Sequence, residues 1–295
     1  MLRLESETGW WLIRHPDHAR LAGAFAAAWG NEKFRKPEPR ERVLYGIAVH
    51  DDGWAERDAH PTITRQGKPS AFSCELVGKY AAFEEIDIAD YLAVRDRAVR
   101  MIADKDPYAG MLISMHTYSL LSEHADRSTI APDGLALLDA FLDRQRSFQE
   151  ALFSAIAIDG SLTLLERSEQ TIREHFRLLQ ACDNLSLLSC VAFAQPAHLL
   201  HPLPWNDGST SEVRVLPAEP WHFRLEPWPF ADEQLTFEFP ARHVEGKRFD
   251  SSQELEKAFL SANEERLSVK LSKGAQTHPG GARVGQQLQG PLQAN

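Results

Sequence analysis

Residues 43–54, VLYGIAVHDDGW, stay apolar for about two helical turns and then place a histidine, two aspartates, a glycine and a tryptophan where the helix should still be burying itself. Read as a helix end, the stretch is a cap before a glycine turn. Read as inward-facing ligands, it requires other helices to converge on it. Side chains share a helix face at separations of three, four, seven and eight. His50 follows Ile47 by three and Val43 by seven, and Asp51 follows Ile47 by four and Leu44 by seven. A helix over about 38–51 therefore turns both inward.

The same spacing selects ionisable residues elsewhere. Pro16 is suited to the first helical position, so a helix runs over about 16–29 with His15 just outside it. Within it His18 precedes Leu21 by three and Phe25 by seven. His116 follows Leu112 by four in GMLISMHTYSLL, and Asp183 follows Leu179 by four in HFRLLQACDNLSLLSC. A buried carboxylate without a partner costs enough to prefer its protonated form, so inward aspartates call for cations or donors. No Lys or Arg is read onto these stripes. A lone inward histidine is ordinarily a hydrogen-bonded core residue, and Asp51, Asp52 and Asp183 each have a capping alternative. In conjunction, His18, His50, Asp51 and Asp183 come from three helices. Together they form a nitrogen and oxygen ligand set suited to Mn, Fe, Zn or Co.

The rest of the chain sets bounds. Its 295 residues suit one large domain with an appendage. A formal net charge of -10 with no Lys/Arg run excludes a surface that coats a nucleic acid polymer, while leaving a small phosphorylated ligand open. Cys74, Cys182 and Cys190 have no CxxC spacing, so reduced thiols are expected. No apolar run is long enough for a membrane, and MLRLESETGW lacks the pattern of a secretion signal, which leads us to expect a cytoplasmic protein.

Short alternations either side of Glu7-Thr8-Gly9 predict an N-terminal hairpin. Helical periodicity recurs at about 86–104, 107–124, 133–157 and 161–194. After a Pro-rich passage the period becomes two, in Val213 and Val215, then Trp221, Phe223 and Leu225, then Leu235, Phe237 and Phe239, as in an antiparallel meander. A helix at about 251–263, a strand LSVKL and a tail without periodicity complete the chain. The fold expected is mainly α. Residues 1–200 form a helical metal-binding domain that includes the hairpin, 201–272 a small antiparallel β appendage packed on it, and 273–295 a disordered tail, α+β overall.

The order His18, then His50-Asp51, then Asp183 resembles that of the HD superfamily of metal-dependent phosphohydrolases. His116 falls where many members carry an extra histidine. The phrases DHARLAGAFAAAW, HDDGW, SMHTYSLL and LQACDNLSLL look like those of a bacterial family within that superfamily, over roughly residues 1–270, and this closer resemblance brings no substrate. The resemblance implies an HD-type helical core with one or two divalent transition metal ions at its centre. It makes His18, His50, Asp51 and Asp183 the metal ligands, with Asp51 and His116 in catalytic roles. The implied activity is hydrolysis of a small phosphorylated substrate, a phosphomonoester or nucleotide, by a metal-bound water. The binuclear pattern needs two further histidines. His116 supplies one, and His124 or His175 would have to be the other. An HD-type di-iron oxygenase is the alternative activity, and a non-catalytic metal-stabilised binding module the alternative class.

Residues 53–80 read as a long polar loop leaving directly from His50-Asp51, and loops of that length are usually functional. Arg57, Arg65 and Lys68 are expected to pair with substrate phosphate or to be solvated surface charge. Trp54 is expected to pack on the substrate or to anchor the loop.

Overall fold

The computed structural model describes residues 1–83 and 87–274. The chain opens with a hairpin, β1 (Leu2–Glu5) and β2 (Gly9–Ile13), and then enters α1 (His15–Ala28), with Pro16 in its first turn. Helix α2 (Arg40–Ala48) stops before His50, and Asp52–Trp54 form a single 3-10 turn leading into α3 (Ala55–Ala59). The expected helix to residue 51 is therefore too long, and His50 and Asp51 occupy the turn after it.

Four longer helices follow. Asp87 caps α4 (Ile88–Ala103) by accepting from the Asp90 amide, and Asp106 caps α5 (Pro107–Glu123) through the Tyr108 and Ala109 amides. Next come α6 (Pro132–Ala157) and α7 (Glu169–Cys190). The Ser168 hydroxyl accepts from the Thr171 amide, so α7 begins at 169 and not near 161.

The C-terminal part holds β3 (Ala197–His198), β4 (Leu203–Pro204), β5 (Thr210–Ser211), β6 (Arg214–Glu219), β7 (His222–Glu226) and β8 (Gln234–Glu245), then α8 (Ser252–Ser261) and β9 (Glu264–Lys273). Seven strands form one curled sheet in the order β1-β2-β8-β9-β7-β6-β3, a half-barrel, while β4 and β5 pair separately. Helices make up 47% and strands 21% of the fold. This corrects the expectation of a mainly α protein with a small β appendage.

The hairpin joins the C-terminal sheet, as the sequence reading allowed, and two features set the form of that sheet. Strand β8 does not end with Phe239 but continues to Glu245, and its added length pairs with β2, setting Trp10 opposite Val244. The N-terminal hairpin is thereby part of the same sheet. The meander is also interrupted, because β9 lies between β7 and β8, parallel to the first and antiparallel to the second.

The sheet is a wall of the main core and not an addition to it. Phe25 of α1 is fully buried and meets Phe237 of β8 edge to face, with ring centroids 4.8 Å apart. Phe223, Phe239, Val269 and Leu271 share one apolar cluster with Leu21, Leu179 and Leu185 of the helices. Among the described residues no helix is long and apolar enough to cross a membrane. The expected disordered tail lies, from residue 275 onward, outside the described residues.

Backbone proximity at Gly9 shows how tightly the hairpin is seated. A Cβ there would come within 1.9 Å of the Val244 carbonyl oxygen, whereas one at Gly160 would meet nothing within 4 Å. Gly9→Ala should cost about 1–3 kcal/mol by urea denaturation, as overpacking does. Gly160→Ala should stay within roughly 0.5 kcal/mol of the parent.

Candidate metal centre

Five side chains from separate parts of the helical layer meet in the core. His18 comes from α1, His50 and Asp51 from the turn after α2, His116 from α5 and Asp183 from α7. None is more than 7% exposed. Their convergence needs close backbones. At Gly23 of α1 a Cβ would sit 2.6 Å from the Ala48 Cβ at the end of α2, so only glycine lets these helices approach here. At Gly53 a Cβ would sit 2.3 Å from Ala98, and its absence lets α4 lie against the His50-Asp51 turn.

Hydrogen bonds outside the cluster orient the imidazoles within it. The Ser186 hydroxyl donates to the Asp183 backbone carbonyl at 2.8 Å, and so accepts from His18 Nδ1 at 2.9 Å. His50 Nδ1 donates to the Ile47 carbonyl at 2.7 Å. Both rings carry a proton on Nδ1 and turn Nε2 to the centre, because the partner of one ring nitrogen fixes what the other can offer. His18 Nε2 then faces Asp51 Oδ2 at 3.1 Å. His50 Nε2 lies 3.3 Å from Asp183 Oδ1 without the alignment of a hydrogen bond, and has no hydrogen-bond partner among the described residues. The His18 Nε2–Asp51 Oδ2 pair lies at hydrogen-bonding distance, and nitrogens this close to carboxylate oxygens hold a proton or a cation between them.

The charges tell the same story. Burial disfavours a charged His50, but the Asp51 and Asp183 carboxylates outweigh it and raise its pKa to about 9. Burial pushes Asp51 up, yet Arg95 and His50 hold it well below the usual carboxylate range. Asp183 is likewise held down against burial, chiefly by His50. His116 differs. Burial lowers it to about 4, its Nε2 is 3.8 Å from Asp183 Oδ2, and its Nδ1 has no hydrogen-bond partner among the described residues.

Two overlapping triads have ligand atoms within 4.8 Å of one another: His18, His50 and Asp51, and His50, His116 and Asp183. These buried groups can hold a metal ion, and the unpartnered Nε2 of His50 fits one. The spacing argument selected all five residues, although for His50 and Asp51 it assumed a helix where the chain forms a turn.

Sequence reasoning missed Arg95 and Ser186. Arg95 of α4 donates from Nη1 to Asp51 Oδ1 at 2.7 Å, and its guanidinium lies over Trp54 and Tyr91, 4.9 and 5.5 Å from the ring centroids. The reading that no cation shares these surfaces is thus corrected. The same spacing, applied to arginines, would have found it, since Arg95 follows Leu92 by three and precedes Val99 by four.

The other candidates lie around or away from the cluster. Trp54 is buried against His15, Tyr91 and Arg95, anchoring the turn. Arg57 pairs with Asp90 at 2.8 Å. Arg65 and Lys68 sit on a turn docked by its Gly67 carbonyl onto the Phe249 amide, and the Lys68 ammonium lies 5.9 Å from the Trp10 ring centroid, so the structure does not bring them to the His/Asp cluster. Asp52 pairs with Arg20 instead of capping. His15 binds Asp58, His175 meets the Tyr108 hydroxyl at 2.7 Å, and His124 ends α5 beside Tyr80. Of the extra histidines, only His116 reaches the cluster.

The family described as protein of unknown function (DUF3891) matches residues 1–246. The chain belongs to this family. No curated protein and no solved structure matches it. The DUF3891 span takes in every residue of the centre and ends just beyond β8, so α8 and β9 follow it.

At neutral pH the His50 proton must leave for a cation to bind. Divalent metal affinity should therefore rise with pH up to about 9, by about tenfold per unit, with about one proton released per ion bound. Titration calorimetry in buffers of different ionisation enthalpy measures both. A pH-independent affinity without proton release would exclude His50 as a ligand.

Proposed function

We propose that this DUF3891 protein is a cytoplasmic metal-dependent hydrolase of small phosphorylated molecules. One Mn, Fe, Zn or Co ion is held by His18, His50, Asp51 and Asp183. The observation that carries the reading is the pair of Nε2 atoms, from His18 and His50, turned by outside hydrogen bonds toward two buried carboxylates. The sequence resemblance to HD phosphohydrolases supports the choice of reaction.

A divalent ion in such a site supplies Lewis-acid polarisation of a phosphoryl oxygen and makes water more acidic. The chain's own groups do the rest. Ser186 and the Ile47 carbonyl keep His18 and His50 in one tautomer. His116, which burial keeps neutral at pH 7 and whose Nδ1 is unpartnered, is left to offer a hydrogen bond or a ligand atom there. Burial of all five side chains keeps the surroundings low in dielectric, which strengthens each electrostatic contact with a phosphate.

The purified protein should contain about one transition metal ion per chain, held by four protein ligands with positions left open for water and substrate, and should release phosphate from members of a phosphomonoester and nucleotide panel. His50→Ala and Asp51→Ala should lose the metal, and Asp183→Ala the activity. Wild-type metal content in both of the first two variants would remove the ligand assignment.

A second reading, a di-iron oxygenase, is favoured by the triad of His50, His116 and Asp183 beside the first. It requires two irons per chain and substrate-dependent oxygen uptake. Phosphate release in anaerobic buffer with one metal bound would decide against it.

A further inference from the structure

We infer that Arg95 sets the net charge of the centre so that, once a divalent cation is held there, the site takes up an oxyanion. This rests on the metal-hydrolase reading and adds to it a ligand class and the residue that selects it.

Arg95 is costly to bury. Arg95 is only 8% exposed, and a buried guanidinium survives only where opposite charge and favourable surfaces replace water. Nη1 reaches Asp51 Oδ1 at 2.7 Å, while Nε comes within 3.4 Å of the Tyr91 hydroxyl. The cation lies over Trp54, whose ring also contacts His15 and Tyr91, each with its centroid 5.1 Å away. Stacking and donation together use the planar geometry that distinguishes arginine from lysine. The missing Cβ of Gly53 lets α4 come close enough for this contact.

Two consequences follow. Arg95 occupies one oxygen of Asp51 and leaves the other, Oδ2, facing His18 Nε2. It also changes the charge balance. Two carboxylates alone would cancel a divalent ion held by neutral imidazoles, leaving the centre no net charge to draw an anion toward the ion. With Arg95 present the loaded centre carries one positive charge. The surrounding charges do not alter this, because each has its own partner: Asp52 has Arg20, Asp58 has the Met1 ammonium and His15, and Arg57 has Asp90. A single positive charge in a buried site is strongly attractive to phosphate and repulsive to a further cation.

The test compares the full-length wild-type chain with R95M and R95K. Manganese affinity is measured by calorimetry, and inorganic phosphate affinity is then measured on the manganese-loaded proteins. R95M should bind manganese at least as tightly as wild type, because a repelling cation is gone. Its phosphate affinity should fall by at least about tenfold. R95K, which keeps the charge without the stacking, should fall between the two.

Unchanged phosphate binding in manganese-loaded R95M would overturn the inference and leave the metal reading intact. Parallel loss of manganese and phosphate would also overturn it, by making Arg95 a structural support. If R95M does not fold by circular dichroism, R95Q, which retains a donor to Asp51, is judged by the same two affinities. A wild-type protein that binds no manganese, zinc, iron or cobalt would overturn the metal reading and this inference with it.

Discussion

Two carboxylates and two imidazole nitrogens face each other inside the apolar interior of this protein, and that opposition is the constraint the rest of the structure serves. Asp51 Oδ2 and His18 Nε2 are 3.1 Å apart, and Asp183 Oδ1 and His50 Nε2 are 3.3 Å apart, all on buried residues. Such an array is stable only with positive charge in its midst. Arg95 supplies part of it, and the proton on His50 supplies more. A metal ion can replace that proton, which couples ligation to pH.

Holding acceptors this close requires backbones that approach closely and do not yield. Gly23 lets α1 meet the end of α2, and Gly53 lets α4 press on the turn that carries His50 and Asp51. The curled sheet closes the other side. Its strands bury Phe223, Phe237, Phe239 and Val269 against α1 and the neighbouring helices, so α1, which carries His18, is clamped between sheet and helices. Displacement of the sheet would move His18, which is a physical reason for a β layer of this extent in a protein whose centre is built from helices.

Much of the helical layer was legible in the sequence because apolar residues recur there at three and four. That period places His18, His116 and Asp183 on inward faces irrespective of where each helix ends. Boundaries were less legible. The stretch to Asp51 looks helical, yet the chain breaks after Ala48 and the His50 ring folds back onto the Ile47 carbonyl. The extent of the sheet was hidden for a different reason. Strand pairing is a contact between distant segments, and nothing local in Gly9–Ile13 states that its partner is the end of β8, or that β9 will separate β7 from β8.

The sequence by itself determined which ionisable residues face inward, since a side chain's face follows from its spacing to apolar neighbours on the same helix. Only the tertiary structure decided what stands opposite each of them. Arg95 is 44 residues from Asp51 and Ser186 is 168 from His18, and both pairings depend on how helices pack. It also decided that Arg65 and Lys68, near His50-Asp51 in sequence, are carried away to Phe249 and Trp10. Periodicity is a property of one segment, whereas charge compensation is a property of the space between segments, and that space exists only once the chain has folded.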